Sequence, residues 1–236
     1  METGTPGPPD QGGGPPPAPE APPPSTAAPL ATSDAGVPQV RPGSGPPSAA
    51  YDVVTEFDRQ EEYSRWLPFV TWHLLIPHWI ALVFLGIGGL FALIYAWFAV
   101  LITGKFPQGV HGFILGVWRW ATRVTAYSFL MTDQYPPFSM DPDDEYPARI
   151  DATYNEQIAR WRPLVNWLLA IPYVIVANVL MYIAYIISFL AFFTILFTKK
   201  FPQGMFDFNV VALRWVNRGN YYTYFMSEKY PPFEWG

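Results

Sequence analysis

The sequence predicts an all-α integral membrane protein made by tandem duplication. Each copy is expected to hold a long hydrophobic helix followed by an amphipathic interfacial helix, and a disordered proline-rich tail precedes both. Three observations lead there. A set of motifs recurs at a fixed offset, two long stretches contain no formally charged side chain, and most of the 27 prolines crowd into residues 1–50.

The duplication is read from spacing. Lys105, Phe106, Pro107, Gln108 and Gly109 return as Lys200, Phe201, Pro202, Gln203 and Gly204. Arg119, Trp120 and Arg123 return as Arg214, Trp215 and Arg218, and Tyr-Pro-Pro-Phe at 135–138 returns at 230–233. Upstream, Arg65 and Trp66 match Arg160 and Trp161, Pro68 matches Pro163, Trp72 matches Trp167, and Ile76 and Pro77 match Ile171 and Pro172. Every pair is 95 positions apart, which marks an internal repeat. Repeat 1 covers 63–138 and repeat 2 covers 158–233.

Residues 1–50 carry almost no large side chain to bury and cannot offset the entropy of ordering, so they are expected to form a disordered tail of polyproline II character. Residues 51–62 form a polar linker. The stretch 67–103 has no formally charged side chain, and neither does 163–198. Apolar runs of this length argue for the membrane. At about 1.5 Å per residue a straight helix of such length measures about 55 Å, against a hydrocarbon core of about 30 Å. Two arrangements resolve the excess. Pro77 and Pro172 kink the chain and residues 78–102 and 173–197 each cross once, or each stretch turns back as a hairpin. Gly86, Gly88 and Gly89 suit a hairpin in repeat 1, whereas Met181, Ile183 and Ala184 stand there in repeat 2, which favours one crossing per repeat.

Phe-Pro-Gln-Gly reads as a β-turn after each long helix. The segments 110–131 and 205–226 follow as amphipathic helices, since two central arginines make either too costly to cross lipid, at about 2.5 kcal/mol or more apiece. Tyr-Pro-Pro-Phe closes each repeat in extended form. Residues 139–157 form an acidic linker between the repeats.

This order of motifs, Trp-x-Pro, Ile-Pro, Lys-Phe-Pro-Gln-Gly, Arg-Trp-x-x-Arg and Tyr-Pro-Pro-Phe, resembles a bacterial, mainly actinobacterial, family of small membrane proteins known only as a domain of unknown function. The resemblance covers residues 63–233 and implies an integral membrane protein. It brings no activity, ligand or catalytic residue.

His73, His78 and His111 have no counterparts in repeat 2, where Leu168, Tyr173 and Phe206 stand, and no carboxylate lies beside them at ligand spacing. They read as packed or interfacial side chains. Asp133 and Glu228 do correspond, and capping or pairing at a helix end explains them better than catalysis. No phosphate loop, nucleophile triad or metal motif is present, so no enzyme and no cofactor are expected. The recurring cations Lys105, Arg119, Arg123, Lys200, Arg214 and Arg218 are the candidate site. Arginine suits bidentate phosphate contact, which points to anionic lipid headgroups, and snorkelling anchorage explains the same pattern.

The expected function is a non-enzymatic scaffold or accessory subunit of the plasma membrane, multi-pass, with membrane lipids as partners. A homo-oligomer and a protein bound through the tail are further partners to consider. The alternatives are a curvature-generating protein and a small repeat-built transporter acting as a homodimer. The N-terminal residues lack a basic and an apolar segment of signal type, so the tail is expected in the cytoplasm. A formal net charge of -5 excludes the basic footprint of nucleic-acid binding.

Overall fold

The computed structural model describes residues 1–5, 7 and 51–235. The chain divides into Met1–Val37 and Pro38–Gly236. Residues 1–5 and 7 are exposed without regular structure. The rest of the expected disordered tail lies outside the described residues. All elements belong to the second unit: β1 (Val53–Phe57), α1 (Leu67–Leu74), α2 (Ile76–Thr103), α3 (Gln108–Ser128), β2 (Ala148–Ala152), α4 (Arg162–Thr198) and α5 (Gln203–Thr223).

The described chain is mostly helical, and the all-α expectation missed two strands. β1 lies in the supposed polar linker and β2 in the supposed acidic one, paired antiparallel. Val53 and Thr55 on one strand and Ala148 and Ile150 on the other are buried, while Glu56 pairs across the ribbon with Arg149. The alternation is that of a half-buried strand. The register carries more. Thr55 pairs with Ile150, its own counterpart in the duplication, and Val53 and Phe57 pair with Ala152 and Ala148, each the counterpart of the other. The repeats are therefore related by a twofold exchange centred on the Thr55–Ile150 pair, as the halves of a homodimer are. The same exchange relates two backbone bonds: Ile158 N–H donates to the Gly104 carbonyl at 3.0 Å, and Tyr63 N–H to that of Lys199 at 2.9 Å. The start of α4 thus meets the end of α2, the end of α4 meets the start of α1, and the long helices run antiparallel.

Each strand docks on the amphipathic helix of the other repeat. Tyr51, just before β1, donates to the Arg218 carbonyl of α5 at 3.3 Å. Its counterpart Tyr146, just before β2, reaches the Arg123 carbonyl of α3 at 3.5 Å and that of Gln134 at 3.0 Å. The duplicated unit therefore begins upstream of position 63, at the strand.

α2 passes unbroken through Gly86, Gly88 and Gly89, so the hairpin alternative does not apply. Phe113 and Ile114 of α3 lie against Gly88 and Gly89, which lets α3 pack closely along α2. In repeat 2 the buried residues Ala177, Leu180, Ala184, Ser188, Ala191 and Ile195 form the matching seam on α4, with near-heptad spacing suited to α5. The helix divides at Leu75 in repeat 1, whose backbone stays right-handed helical. It continues through Pro172 in repeat 2, where packing along α5 outweighs the hydrogen bond the ring removes.

The expected Phe-Pro-Gln-Gly β-turn is instead a helix start, with Pro107 and Pro202 extended at the N-cap of α3 and α5. The reversal before it is made by Gly104 and Lys199, both left-handed. α3 and α5 end earlier than expected, in matching caps. Leu130 and Phe225 take positive φ, and Met131 N–H and Met226 N–H reach back to the Ala126 and Tyr221 carbonyls. This is a Schellman closure without glycine.

If the ribbon depends on its buried face, Ile150→Ala should cost about 2–4 kcal/mol, the range for truncating a buried isoleucine. Asp144→Ala, on the exposed linker, should stay within about 0.5 kcal/mol. Chemical denaturation of both in the same detergent checks the contrast.

Candidate functional site

Amphipathic pattern brings the repeated arginines to the inner side of α3 and α5. Arg123 is buried, and its two terminal nitrogens donate to the carbonyls of Ser139 at 3.2 Å and Asp141 at 2.5 Å. Its planar fork therefore holds the chain that follows Tyr-Pro-Pro-Phe. Burial lowers its pKa, opposed by Asp143, Tyr146 and Asp141. Arg218, its counterpart, is also buried and lies beside the Tyr173 hydroxyl.

Arg119 forms an ion pair with Asp151 of β2 at 2.9 Å. Arg214 donates from Nε to the Thr55 carbonyl of β1 at 3.0 Å and feels the Glu56 carboxylate, the counterpart of Asp151. Each arginine thus reaches the opposite repeat's strand. Lys105 lies apart from these inward contacts, exposed and paired with Glu156 at 2.8 Å. Lys200 is exposed at the matching place.

The acids repeat as well. The Asp133 carboxylate accepts Ser64 N–H and the Glu228 carboxylate accepts Ala159 N–H, each at 2.6 Å. Ser64 and Ala159 are counterparts just ahead of the long helices, so these carboxylates tie the end of each repeat to its beginning. Burial raises the Asp133 pKa, partly offset by the Ser64 amide.

The Tyr-Pro-Pro-Phe motif folds back to complete an aromatic cluster. His78 is buried, accepts from Trp120 Nε1 at 2.9 Å and stacks on Phe138 at 3.9 Å. In repeat 2, Tyr173 stacks on Trp215 at 4.8 Å and meets Phe233 edge-on. His111 is buried against the Tyr221 hydroxyl, 3.1 Å from Nε2, while His73 is exposed beside Trp72. The three histidines have different partners.

A polar cluster around the buried Asp52 was not anticipated. Asp52 accepts Ser227 Oγ at 2.6 Å, Lys229 Nζ at 3.0 Å and Asn155 Nδ2 at 3.1 Å. Pro147 stands at its duplicate, so the repeat carried no signal for it.

The surface opposite this polar layer is apolar from end to end. Ile76, Ile80, Val83, Phe84, Ile87 and Phe91 are exposed along α2, as are Ile175, Val179, Tyr182, Ile186, Phe189 and Phe193 along α4. On a helical projection each set occupies one side. Leu67–Thr103 and Arg162–Thr198 are each long and apolar enough to span a membrane.

A family model described as a domain of unknown function (DUF4389) matches residues 69–140 and again residues 160–234. The chain belongs to this family. It carries the domain as two tandem copies, and the family's description names no reaction. Neither a curated protein nor a solved structure matches the chain.

If the Arg123 fork holds two carbonyls at once, Arg123→Lys should lower stability by about 1.5–3 kcal/mol, because from this buried position lysine cannot make both charge-assisted bonds. Arg119→Lys, whose partner is half exposed, should cost less than about 1 kcal/mol. Equal losses in denaturation would reverse the assignment of Arg123.

Burial holds His111 below the ordinary imidazole value, opposed by Asp151 and reinforced by Arg119. The unfolded chain therefore takes up a proton near pH 6.5 that the folded chain resists. Stability from this site is complete above about pH 6.5 and falls as pH drops below it. His111→Phe copies Phe206 and should lose less stability than the parent between about pH 8 and about pH 5. Thermal melts at both pH values measure the difference.

Proposed function

We propose that the protein is a non-enzymatic scaffold or accessory subunit, seated on one leaflet of the plasma membrane with α1, α2 and α4 laid along it. The observation that carries this reading is the polar layer running the full length of the long helices. α3 meets α2 at Gly89 through Ile114, at His78 through Trp120, and α1 at Thr71 through Tyr127. α5 meets α4 at Ser188, Tyr173 and Asn166. A crossing helix would drag its companion in with it, together with Arg119 and Arg123 or Arg214 and Arg218 and, through Asp151 and Thr55, the charged ribbon. Each central charge costs at least about 2.5 kcal/mol in hydrocarbon.

Lying flat avoids that cost. Both apolar stripes meet the acyl region and the ribbon stays in water, an arrangement also suited to 55 Å helices that exceed the bilayer core by nearly twofold. Because Arg123, Arg119 and Arg214 are engaged by protein acceptors on the inner side, contact with anionic headgroups falls to the exposed Lys200 and to Lys105, whose solvent-exposed ion pair with Glu156 a headgroup can displace. Protein partners would meet the ribbon side or the proline-rich tail. A bilayer-shaping role is the second reading, favoured by the one-sided stripes, since helices filling a single leaflet expand it relative to the other.

The chain has no cysteine, so single cysteines report cleanly. Ser64→Cys, Gln108→Cys and Gln203→Cys place probes beside the ends of the long helices, at exposed positions. Seated along one leaflet, all three react alike with an impermeant maleimide, either in intact cells or only after permeabilisation. Ser64 and Gln108 on opposite sides would return each long helix to a crossing.

A further inference from the structure

We propose that a groove between the repeats holds one acyl chain of a bilayer phospholipid, a site that rests on the membrane seat argued above. It is a cavity of about 420 Å³, lined by α1, the start of α2, the end of α3 and the later half of α4. Thr71, Leu75 and Phe129 form its buried wall, and Trp72, Trp79 and Phe189 its exposed rim.

The chemistry of the lining selects the ligand. No formally charged side chain contributes. The hydroxyls of Thr71, Thr125 and Ser128 already donate to the carbonyls of Leu67, Ala121 and Thr125, each at 2.8 Å, and Ser188 Oγ accepts from Asn209 at 2.9 Å. A polar metabolite would bring donors and acceptors with few partners to meet, whereas a hydrocarbon chain asks only for apolar contact. The rim residues belong to the same apolar stripes that face the bilayer, so a chain enters sideways from lipid and leaves its headgroup outside.

The duplication supplies an internal comparison. At the matching place in the other half, Trp97 stands where Phe192 lines the groove, and its Nε1 donates to the Pro163 carbonyl at 3.1 Å. Asn166 stands where Thr71 does and donates to the Tyr222 carbonyl at 3.0 Å. Phe225 stands in place of Leu130 with the same left-handed backbone. One half therefore fills with its own side chains the space that the other half leaves for a ligand.

The test uses the full chain in vesicles containing a phosphatidylcholine with a diazirine on its acyl chain, with crosslinked residues mapped by mass spectrometry after illumination. The expected result is crosslinks at Leu75 and Phe129, which bulk lipid cannot reach, together with crosslinks at Phe84 and Ile186 on the stripes. Phe192→Trp and, separately, Leu130→Phe copy the filled half and should each cut the Leu75 and Phe129 crosslinks at least about fivefold while the stripe crosslinks persist. Persistence of the stripe crosslinks also shows that each variant has folded and bound the membrane. Crosslinks confined to the stripes of the parent overturn the groove and leave the membrane seat standing. Their absence everywhere overturns both. Undiminished groove crosslinks in two folded variants overturn the proposed position of the chain. Free fatty acid competing fully at equal concentration would overturn the choice of a bilayer phospholipid.

Discussion

Pairing between Thr55 and Ile150 is the constraint from which the rest of the architecture follows. When a residue pairs with its own duplicate, the two copies must be exchanged by a twofold operation, and backbone contacts between them such as Ile158–Gly104 and Tyr63–Lys199 come in pairs. The ribbon is short, and two isolated strands are marginal in water. Cross-strand pairs such as Glu56 with Arg149 add only about 0.2–1 kcal/mol each. What secures the ribbon is burial of its inner face against α3 and α5, helped by Tyr51 and Tyr146 reaching across to the opposite repeat. Neither copy buries its own strand, so the folded unit is the pair.

How far this was legible depended on whether the signal was local. Helix, proline and aromatic motifs recur at a constant offset, and the uncharged stretches 67–103 and 163–198 coincide with the long helical segments, although α4 runs on through Pro172 where a break was expected. The strands were hidden because each has five residues, is flanked by charge, and gains its partner from a segment 91–99 positions away. The arginines present a different difficulty. Arg-x-x-x-Arg on an amphipathic helix looks the same whether the guanidinium meets a lipid phosphate or a carbonyl of the protein. The choice for Arg123 is made by the segment 139–141, which folds back under it. Asp133 and Glu228 drew attention because they recur, whereas Asp52, which organises Ser227, Lys229 and Asn155, has no duplicate to draw attention to it.

A fused pair differs from a homodimer in that its halves are free to diverge, and the divergence here is confined. The contacts that shape each repeat, from the carboxylate ties to the matched caps of α3 and α5, are kept in both. Differences fall where a side chain can change without breaking an exchange-related bond: His78 opposite Tyr173, His111 opposite Phe206, Phe192 opposite Trp97. Each replaces one large planar or aromatic side chain by another, so packing volume is roughly conserved while the hydrogen bonding changes. Duplicated scaffolds can in this way acquire a site in one half and close it in the other at little cost to stability.

The distribution of exposure along the long helices also bears on how such a fold meets lipid. A helix crossing a bilayer beside few neighbours presents hydrocarbon to lipid around most of its circumference. On α2 the exposed apolar residues keep to one side, and the opposite side carries His78, Gly89, Ala96 and Val100 into contact with α3 or the adjoining core. The same division holds on α4, where small buried residues alternate with large exposed ones. Antiparallel packing then brings Trp66, at the start of α1, to the end of α4, and Trp161, at the start of α4, to the end of α2. Tryptophan favours the boundary between polar and apolar surroundings, and Trp66 beside Arg65 and Trp161 beside Arg160 mark that boundary at both ends of the helix pair.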